Sequence, residues 1–357
     1  MNEFVILHAP QFLSNLDKLL KTTTIGGVSR QVRKFRLALS KKRPVPSEFR
    51  PSNGRIKISR KYLLGELEQI EETLTVERAQ YYLRRLRKAI SDTKITRVND
   101  INLRRWKEYE EIHTDSLWIV DRRDSSGVHS AWYWGNFIPQ IPHQLLLRYT
   151  KKGEWVLDPF AGSGTTLLEC QRLGRNCIGV ELQKKVASRT TSIVRMEGTD
   201  NQLASVAVEV GDSRTVDFAA LLKKHNATSA QLAILHPPYH DIIRFSRKKG
   251  DLSNARSTDE FLNMFGAVVD NVGKVLDRNR YLAVVIGDKY ERGEWIPLGF
   301  LTMNEVTKRG FRLKSIVVKN FDGTVGKRNL KELWRYRALA GGFYVFKHEY
   351  LFIFQKR

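Results

Sequence analysis

Val156-Leu-Asp-Pro-Phe-Ala-Gly-Ser-Gly-Thr-Thr166 reads as a short apolar strand that breaks at a glycine turn and restarts as a helix. Gly162 and Gly164 permit a tight strand-to-helix turn and let a ligand approach the backbone closely. Cys177-Ile-Gly-Val180 is the next strand, and Glu181 at its end is placed to accept hydrogen bonds from ribose hydroxyls. Thr165 stands where a phosphate-gripping loop has lysine, and the third glycine of a dinucleotide fingerprint is absent. A glycine turn alone is also what an ordinary strand–helix connection needs. With Asp158-Pro159-Phe160 ahead of it and Glu181 behind, a nucleoside cofactor is the better reading.

Outward from this turn the chain alternates strand and helix. Helix is expected at Thr165 to Arg172, Lys184 to Met196, Phe218 to Lys224, Asp259 to Leu276 and Leu298 to Arg309. Strand is expected at Trp155 to Asp158, Val206 to Val210, Leu232 to Leu235, Tyr281 to Ile286, Leu313 to Val318 and Tyr350 to Phe354. That order argues for an α/β fold, a doubly wound and mostly parallel sheet. Ligands of such sheets bind beyond the carboxyl ends of the strands. Leu235-His-Pro-Pro-Tyr239 ends a fourth strand, so this loop should face the glycine turn. Its two prolines stiffen the backbone and present His236 and Tyr239 at the rim. An aromatic there can stack on a base drawn out of a duplex, while a carbonyl and a polar side chain take an amine's hydrogens. Taken alone, the loop is equally a Pro-Pro turn with an exposed tyrosine.

Together these residues resemble the amino-methyltransferases of DNA, in which a DPF-x-GSGTT turn binds S-adenosylmethionine and a D/N/S-PP-Y/F/W loop holds the target base. Gly135-Asn-Phe-Ile-Pro-Gln-Ile-Pro142 is similar to the family's segment at the methionine end of the cofactor. The resemblance covers about residues 115 to 357. It implies a Rossmann-like S-adenosylmethionine-dependent methyltransferase fold with a seven-stranded, mostly parallel sheet. By it, Asp158, Phe160, Gly162, Ser163, Gly164 and Thr165 line the cofactor, with Glu181 on the ribose and Asp212 near the adenine. Asn136, Phe137, Pro139 and Gln140 lie near the methionine, and His236, Pro237, Pro238 and Tyr239 form the catalytic loop. Transfer to an aromatic amine needs no covalent enzyme intermediate, only positioning and electrostatics.

One residue departs from the family. His236 stands where Asp, Asn or Ser is usual, so the rule that relates that residue to adenine or cytosine does not apply. A neutral imidazole can accept one hydrogen bond, whereas a protonated one repels a developing cation. If His236 acts as an acceptor, turnover should fall at pH values where the imidazole protonates, and a flat rate from pH 5.5 to 8.5 would remove that role.

Composition fits the same reading. Among 357 residues, 61 Lys and Arg against 38 Asp and Glu give a net charge of +23, a field that attracts polyanions. Residues 1–100 hold 21 of these cations and 10 of the acids. The chain is expected to divide into a basic, mostly helical region, 1–110, and a methyltransferase domain, 111–357. The first carries apolar residues at helical spacing from Lys61 to Ile90, with Arg84, Arg85, Arg87 and Lys88 near its end. Lys41 to Pro46 and Pro51 to Gly54 look like a loop or arm. It is either a DNA-contacting module or a packing appendage with a solvated face. Target recognition is expected from this region, from the loop Arg244–Arg256, or from Asn320–Phe346. That last segment carries Gly323, Gly326, Lys327 and Arg328, and interleaves Arg335 and Arg337 with Trp334, Tyr336 and Phe343; the alternative is a solvated hairpin.

No apolar run approaches the ~20 residues of a membrane span, no leader is evident, and Cys170 and Cys177 lack the partners of a metal site. The expectation is a cytoplasmic, nucleoid-associated enzyme of a bacterial, archaeal or phage-host cell that uses S-adenosylmethionine and no metal. It would methylate adenine N6, slightly favoured, or cytosine N4 in double-stranded DNA, with a homodimer and a separately encoded restriction nuclease as candidate partners. The rivals are an RNA or rRNA amino-methyltransferase and a non-catalytic DNA-binding protein on the same fold.

Overall fold

The structure is a computed structural model, and it describes residues 4–40, 54–197, 204–320 and 331–357. Lys41 to Pro46, most of Pro51 to Gly54, and Gly323, Gly326, Lys327 and Arg328 lie outside the described residues. The chain divides into two compact units, Met1–Arg97 with Ile101–Glu111, and Val98–Asp100 with Ile112–Arg357.

In the first unit, β1 (Phe4–His8) pairs antiparallel with β2 (Arg55–Ser59), beside helices α1 (Ala9–Leu20), α2 (Ile25–Ser40), α3 (Arg60–Glu71) and α4 (Val76–Ser91). The apolar stretch from Lys61 to Ile90 falls into two helices because Thr75 starts a new one, its hydroxyl accepting from the Arg78 N–H at 3.2 Å. Leu16, Leu19, Val32, Leu63, Leu67, Leu83 and Leu86 close the core. Buried Glu66 takes Arg85 at 2.6 Å and Lys107 at 2.7 Å, while Arg87 pairs with Asp17 at 2.6 Å. Two of the four cations that crowd the end of α4 therefore serve the unit's own packing.

The second unit is built on an eight-stranded sheet. Its strands are β3 (Leu117–Trp118), β4 (Trp155–Asp158), β5 (Asn176–Glu181), β6 (Val206–Val210), β7 (Ala230–Leu235), β8 (Leu276–Ile286), β11 (Phe311–Asn320) and β12 (His348–Lys356). Between β8 and β11 a small hairpin, β9 (Lys289–Glu291) and β10 (Glu294–Ile296), forms its own two-stranded sheet. The order is β3-β11-β12-β8-β7-β4-β5-β6, parallel except where β12 pairs with β8 and with β11. Seven of these strands are the expected ones, and two-residue β3 adds an eighth at the edge.

The helices are α5 (Gln140–Tyr149), α6 (Thr165–Leu173), α7 (Lys184–Glu197), α8 (Phe218–Lys224), α9 (Thr258–Val275), α10 (Leu298–Lys308) and α11 (Lys331–Gly341). Both faces of the sheet are buried, so its central strands are almost continuously apolar. In β8, Leu282 and Val284 join one core with Phe261 and Phe265 of α9, while Ala283 and Val285 join the other with Ile141 and Leu145 of α5 and Leu168 of α6. Among the described residues of the segment Asn320–Phe346, α11 spans Lys331–Gly341, where a solvated hairpin was the alternative. The Arg–aromatic interleaving read as a loop is also compatible with an exposed helix.

The topology fixes where a ligand belongs. From β4 the chain moves through α6 to β5 on one side, and from β6 it returns through α8 to β7 on the other. The strand order therefore reverses at β4, and sheets of this kind take their ligands in a crevice beyond the carboxyl end of such a strand.

Candidate cofactor and base site

The glycine turn leaves β4 into that crevice. Gly162 has φ +46° and Gly164 φ +80°, left-handed values that suit glycine. A Cβ on Gly164 would lie 2.5 Å from the Thr190 methyl, and one on Gly162 would lie 3.1 Å from the Tyr133 ring. The Thr190 hydroxyl donates to the Gly162 carbonyl at 2.6 Å. Asp158 is buried and caps the turn by accepting the Phe160 N–H at 3.0 Å; burial pushes its carboxyl up to about 6. Asp158 thus shapes the turn from beneath.

Glu181 at the end of β5 accepts from Gly162 N–H at 3.1 Å with one oxygen and from Gln183 N–H at 2.8 Å with the other. Each oxygen keeps a second lone pair. Burial raises the Glu181 pKa above the ordinary value. Asp212, after β6, is held by Arg214 through contacts as short as 2.6 Å, and that pairing brings its pKa down against the upward pull of burial. Gly250, in the loop after the Pro-Pro segment, approaches so closely that a Cβ there would lie 2.4 Å from Asp212 Oδ2.

The segment before β4 meets both loops. Asn136 donates to Ser163 Oγ at 3.2 Å, and the Phe137 ring stands edge-on to His236 at 4.7 Å between centroids. Ser163 and Thr165 share a hydrogen bond at 3.1 Å, both buried. Pro139 and Gln140 do other work. Pro139 precedes the first turn of α5, and the Gln140 amide donates to the Arg122 carbonyl at 2.7 Å and accepts from Asp124 N–H at 3.2 Å.

The Pro-Pro loop leaves β7 beside the turn. Burial, with Lys319 nearby, pulls the His236 pKa down to about 3. That direction favours the neutral imidazole over the range in which the rate was expected to fall. Tyr239 is turned inward: its hydroxyl lies 3.3 Å from His236 Nε2 and donates to Glu349 Oε2 at 2.8 Å. Pro237 is buried and Pro238 half-buried. His240 follows with φ +52°, a strained value for a non-glycine residue, held by a hydrogen bond between Nε2 and the Ala255 carbonyl at 3.0 Å.

Four participants were not read from the sequence. Tyr133 stacks on Phe245 at 5.6 Å and 23°, joining the segment before α5 to the loop after the prolines. The run Trp132-Tyr133-Trp134 beside Gly135 was a usable signal for it. Arg123 donates to Asn136 Oδ1 at 3.3 Å and to the Phe137 carbonyl at 3.0 Å; its Nη2 is buried and, among the described residues, has no hydrogen-bond partner. Such an orphaned guanidinium nitrogen fits a carboxylate ligand. Lys319 and Glu349, on β11 and β12, are an ion pair at 3.0 Å that nothing local in the sequence marks.

Residues 59–192 match the family model described as DNA methylase. The type II methyltransferase M.MthZI of Methanothermobacter thermautotrophicus is 46% identical over 125 residues, 34% of this chain and 33% of the relative. M2.DpnII of Streptococcus pneumoniae is 48% identical over 96 residues, 25% of this chain and 36% of the relative. The matches span about a third or less of the length of the curated relatives. Among solved structures, TrmN from Thermus thermophilus is 17% identical with a TM-score of 0.39, covering 63% of this chain and 50% of that one. The family model and the type II relatives support the DNA amino-methyltransferase family.

Proposed function

We propose, from that family standing, that this chain transfers a methyl group from S-adenosylmethionine to an exocyclic amino group of a base turned out of double-stranded DNA. Adenine N6 is slightly favoured over cytosine N4. The observation that carries the reading is the convergence, at the strand-order reversal, of the Gly162–Gly164 turn, the Glu181 carboxylate and the His236–Tyr239 loop. The cofactor fits the residues present. Gly162 and Gly164 give the turn its left-handed backbone, Glu181 keeps lone pairs for ribose hydroxyls, and the orphaned Arg123 nitrogen suits the methionine carboxylate. By the resemblance, Asp212, against which Gly250 packs, would contact the adenine.

S-adenosylmethionine supplies an electrophilic methyl group on a sulfonium. With the cofactor bound, this chain's part would be to hold the target amine with its lone pair aimed at that methyl group and to leave the surplus amine proton a path to water. His236 accepts one amine hydrogen while neutral and so does not oppose the charge that grows on the nitrogen. Pro237 and Pro238 hold that acceptor rigidly, and Phe137 packs its ring edge. The basic first unit and exposed α11 are candidate DNA contacts.

The deciding experiment is methylation of unmethylated DNA by labelled S-adenosylmethionine, followed by digestion to nucleosides and mass spectrometry. N6-methyladenine or N4-methylcytosine is the expected product. Label in RNA but not in DNA would move the substrate to RNA, and absence of cofactor binding would defeat the enzyme reading.

A further inference from the structure

We infer that Lys319, Glu349 and Tyr239 form a hydrogen-bonded chain that fixes the tautomer of His236, leaving Nδ1 as its acceptor for the target amine. The inference rests on the reading of the chain as an amino-methyltransferase. Glu349 pairs with Lys319 at 3.0 Å, and a carboxylate so paired is an acceptor only. Tyr239 has a single hydroxyl proton and donates it to Glu349 Oε2 at 2.8 Å. At its contact with His236 Nε2 the tyrosine oxygen can then only accept, so the imidazole must carry its proton on Nε2. Among the described residues no group hydrogen-bonds Nδ1.

The sheet explains how the chain of bonds is built. His236 follows β7, whose neighbour is β8, and β12 lies beyond β8 with β11 outside it. Tyr239 must therefore cross the end of β8 to reach Glu349. It does so over Gly287, where a Cβ would come within 3.0 Å of the tyrosine ring. Lys319 and Glu349 are register partners on β11 and β12, and both side chains are buried, at 5% and 3% exposure. A buried ion pair is seldom more stabilising than an apolar pair of the same volume, so packing alone does not account for it. These three are positioning residues: they act on the amine through His236. The charged and titratable groups that face the imidazole are Tyr239 from its own loop and Lys319 from β11, with Glu349 of β12 one bond further on.

The test combines a spectroscopic readout with kinetics. In full-length protein labelled with 15N-histidine, the His236 signals, identified by their loss in His236→Asn, should show a protonated Nε2 and a bare Nδ1. In the double variant Lys319→Met/Glu349→Leu the tyrosine proton has no acceptor but His236, so the tautomer should switch to Nδ1–H. In that variant kcat should fall by about 10- to 100-fold, with S-adenosylmethionine affinity by calorimetry and KM for DNA within about threefold of wild type. Lys319→Met/Glu349→Gln restores a carbonyl acceptor for Tyr239 and should restore both the tautomer and most of kcat. A wild-type Nδ1–H tautomer, or an unchanged tautomer in the leucine variant, would overturn the inference. If the tautomers switch as stated while wild-type protein methylates no DNA, the proton chain stands and the methyltransferase reading falls.

Discussion

The hydroxyl of Tyr239 donates a hydrogen bond to the carboxylate of Glu349 across 110 positions of sequence. The residue that a motif places at the rim of a base-binding pocket is thereby anchored to the far strand pair of the sheet. Its hydroxyl is held between His236 and Glu349, which ties the end of the loop to β12. A preformed loop suits chemistry that depends on placing one nitrogen against one carbon.

His236 should behave as a permanently neutral residue. Its pKa of about 3 in the fold lies below the 6.5 of an unfolded histidine, so the unfolded chain takes up the proton first. The fold therefore loses stability from this group as pH falls through 6.5 toward 3, while the folded imidazole stays neutral. The ratio of wild-type to His236→Asn methylation rates should stay flat from about pH 5.5 to 8.5. A ratio that drops as pH falls toward 5.5 would show that the imidazole protonates in the folded enzyme.

Asp158 carries the opposite sign. Its carboxyl titrates near 6 in the fold and at 3.8 unfolded, so the ionised form opposes folding above pH 6 and the penalty vanishes below about 4. Asp158→Asn keeps an oxygen for the Phe160 N–H and should stabilise the protein by up to about 3 kcal/mol at pH 8, with no gain near pH 4. Urea unfolding at the two pH values checks this. Equal effects at both would mean that charge burial is not the cause.

Gly164→Ala should damage the cofactor turn twice, through its left-handed φ and through collision with the Thr190 methyl. A stability loss of about 1–3 kcal/mol and a loss of S-adenosylmethionine binding of at least about tenfold are expected. Adding Thr190→Ser removes the colliding methyl but keeps the hydroxyl that donates to Gly162, and should recover part of both. No recovery would leave backbone strain as the whole effect.

The exposed helix α11 offers Arg335 and Arg337, with Arg337 over the Trp334 ring at 5.4 Å and Tyr336 and Tyr344 open to solvent. Reversing both charges, Arg335→Glu with Arg337→Glu, should weaken DNA binding more than about tenfold in low salt. It should also reduce the dependence of log affinity on log salt by about 2. Cofactor affinity should not change. An unchanged salt slope would remove α11 from the DNA interface.

The sequence by itself determined the sheet's long strands and the two loops at its crevice. β4 to β8 are apolar runs separated by helical periods, and such local patterns survive without knowledge of neighbours. Asp158, Gly162, Gly164 and Glu181 were legible because a tight turn and an acid at a strand end are local requirements. Short or exposed elements such as β3, the β9–β10 hairpin and α11 were not, since few buried contacts impose a period on them. Nor could sequence show that Gln140 is turned onto the Arg122 carbonyl or that half of the cations crowding the end of α4 are paired. The state of His236 lay furthest out of reach. Whether that imidazole is charged, and which nitrogen bears its proton, depends on burial and on Lys319 and Glu349, residues on strands that only the antiparallel insertion of β12 brings beside β8. Periodicity is a property of neighbours in the chain, whereas desolvation and hydrogen-bond chains are properties of neighbours in space, and tertiary structure alone decides those.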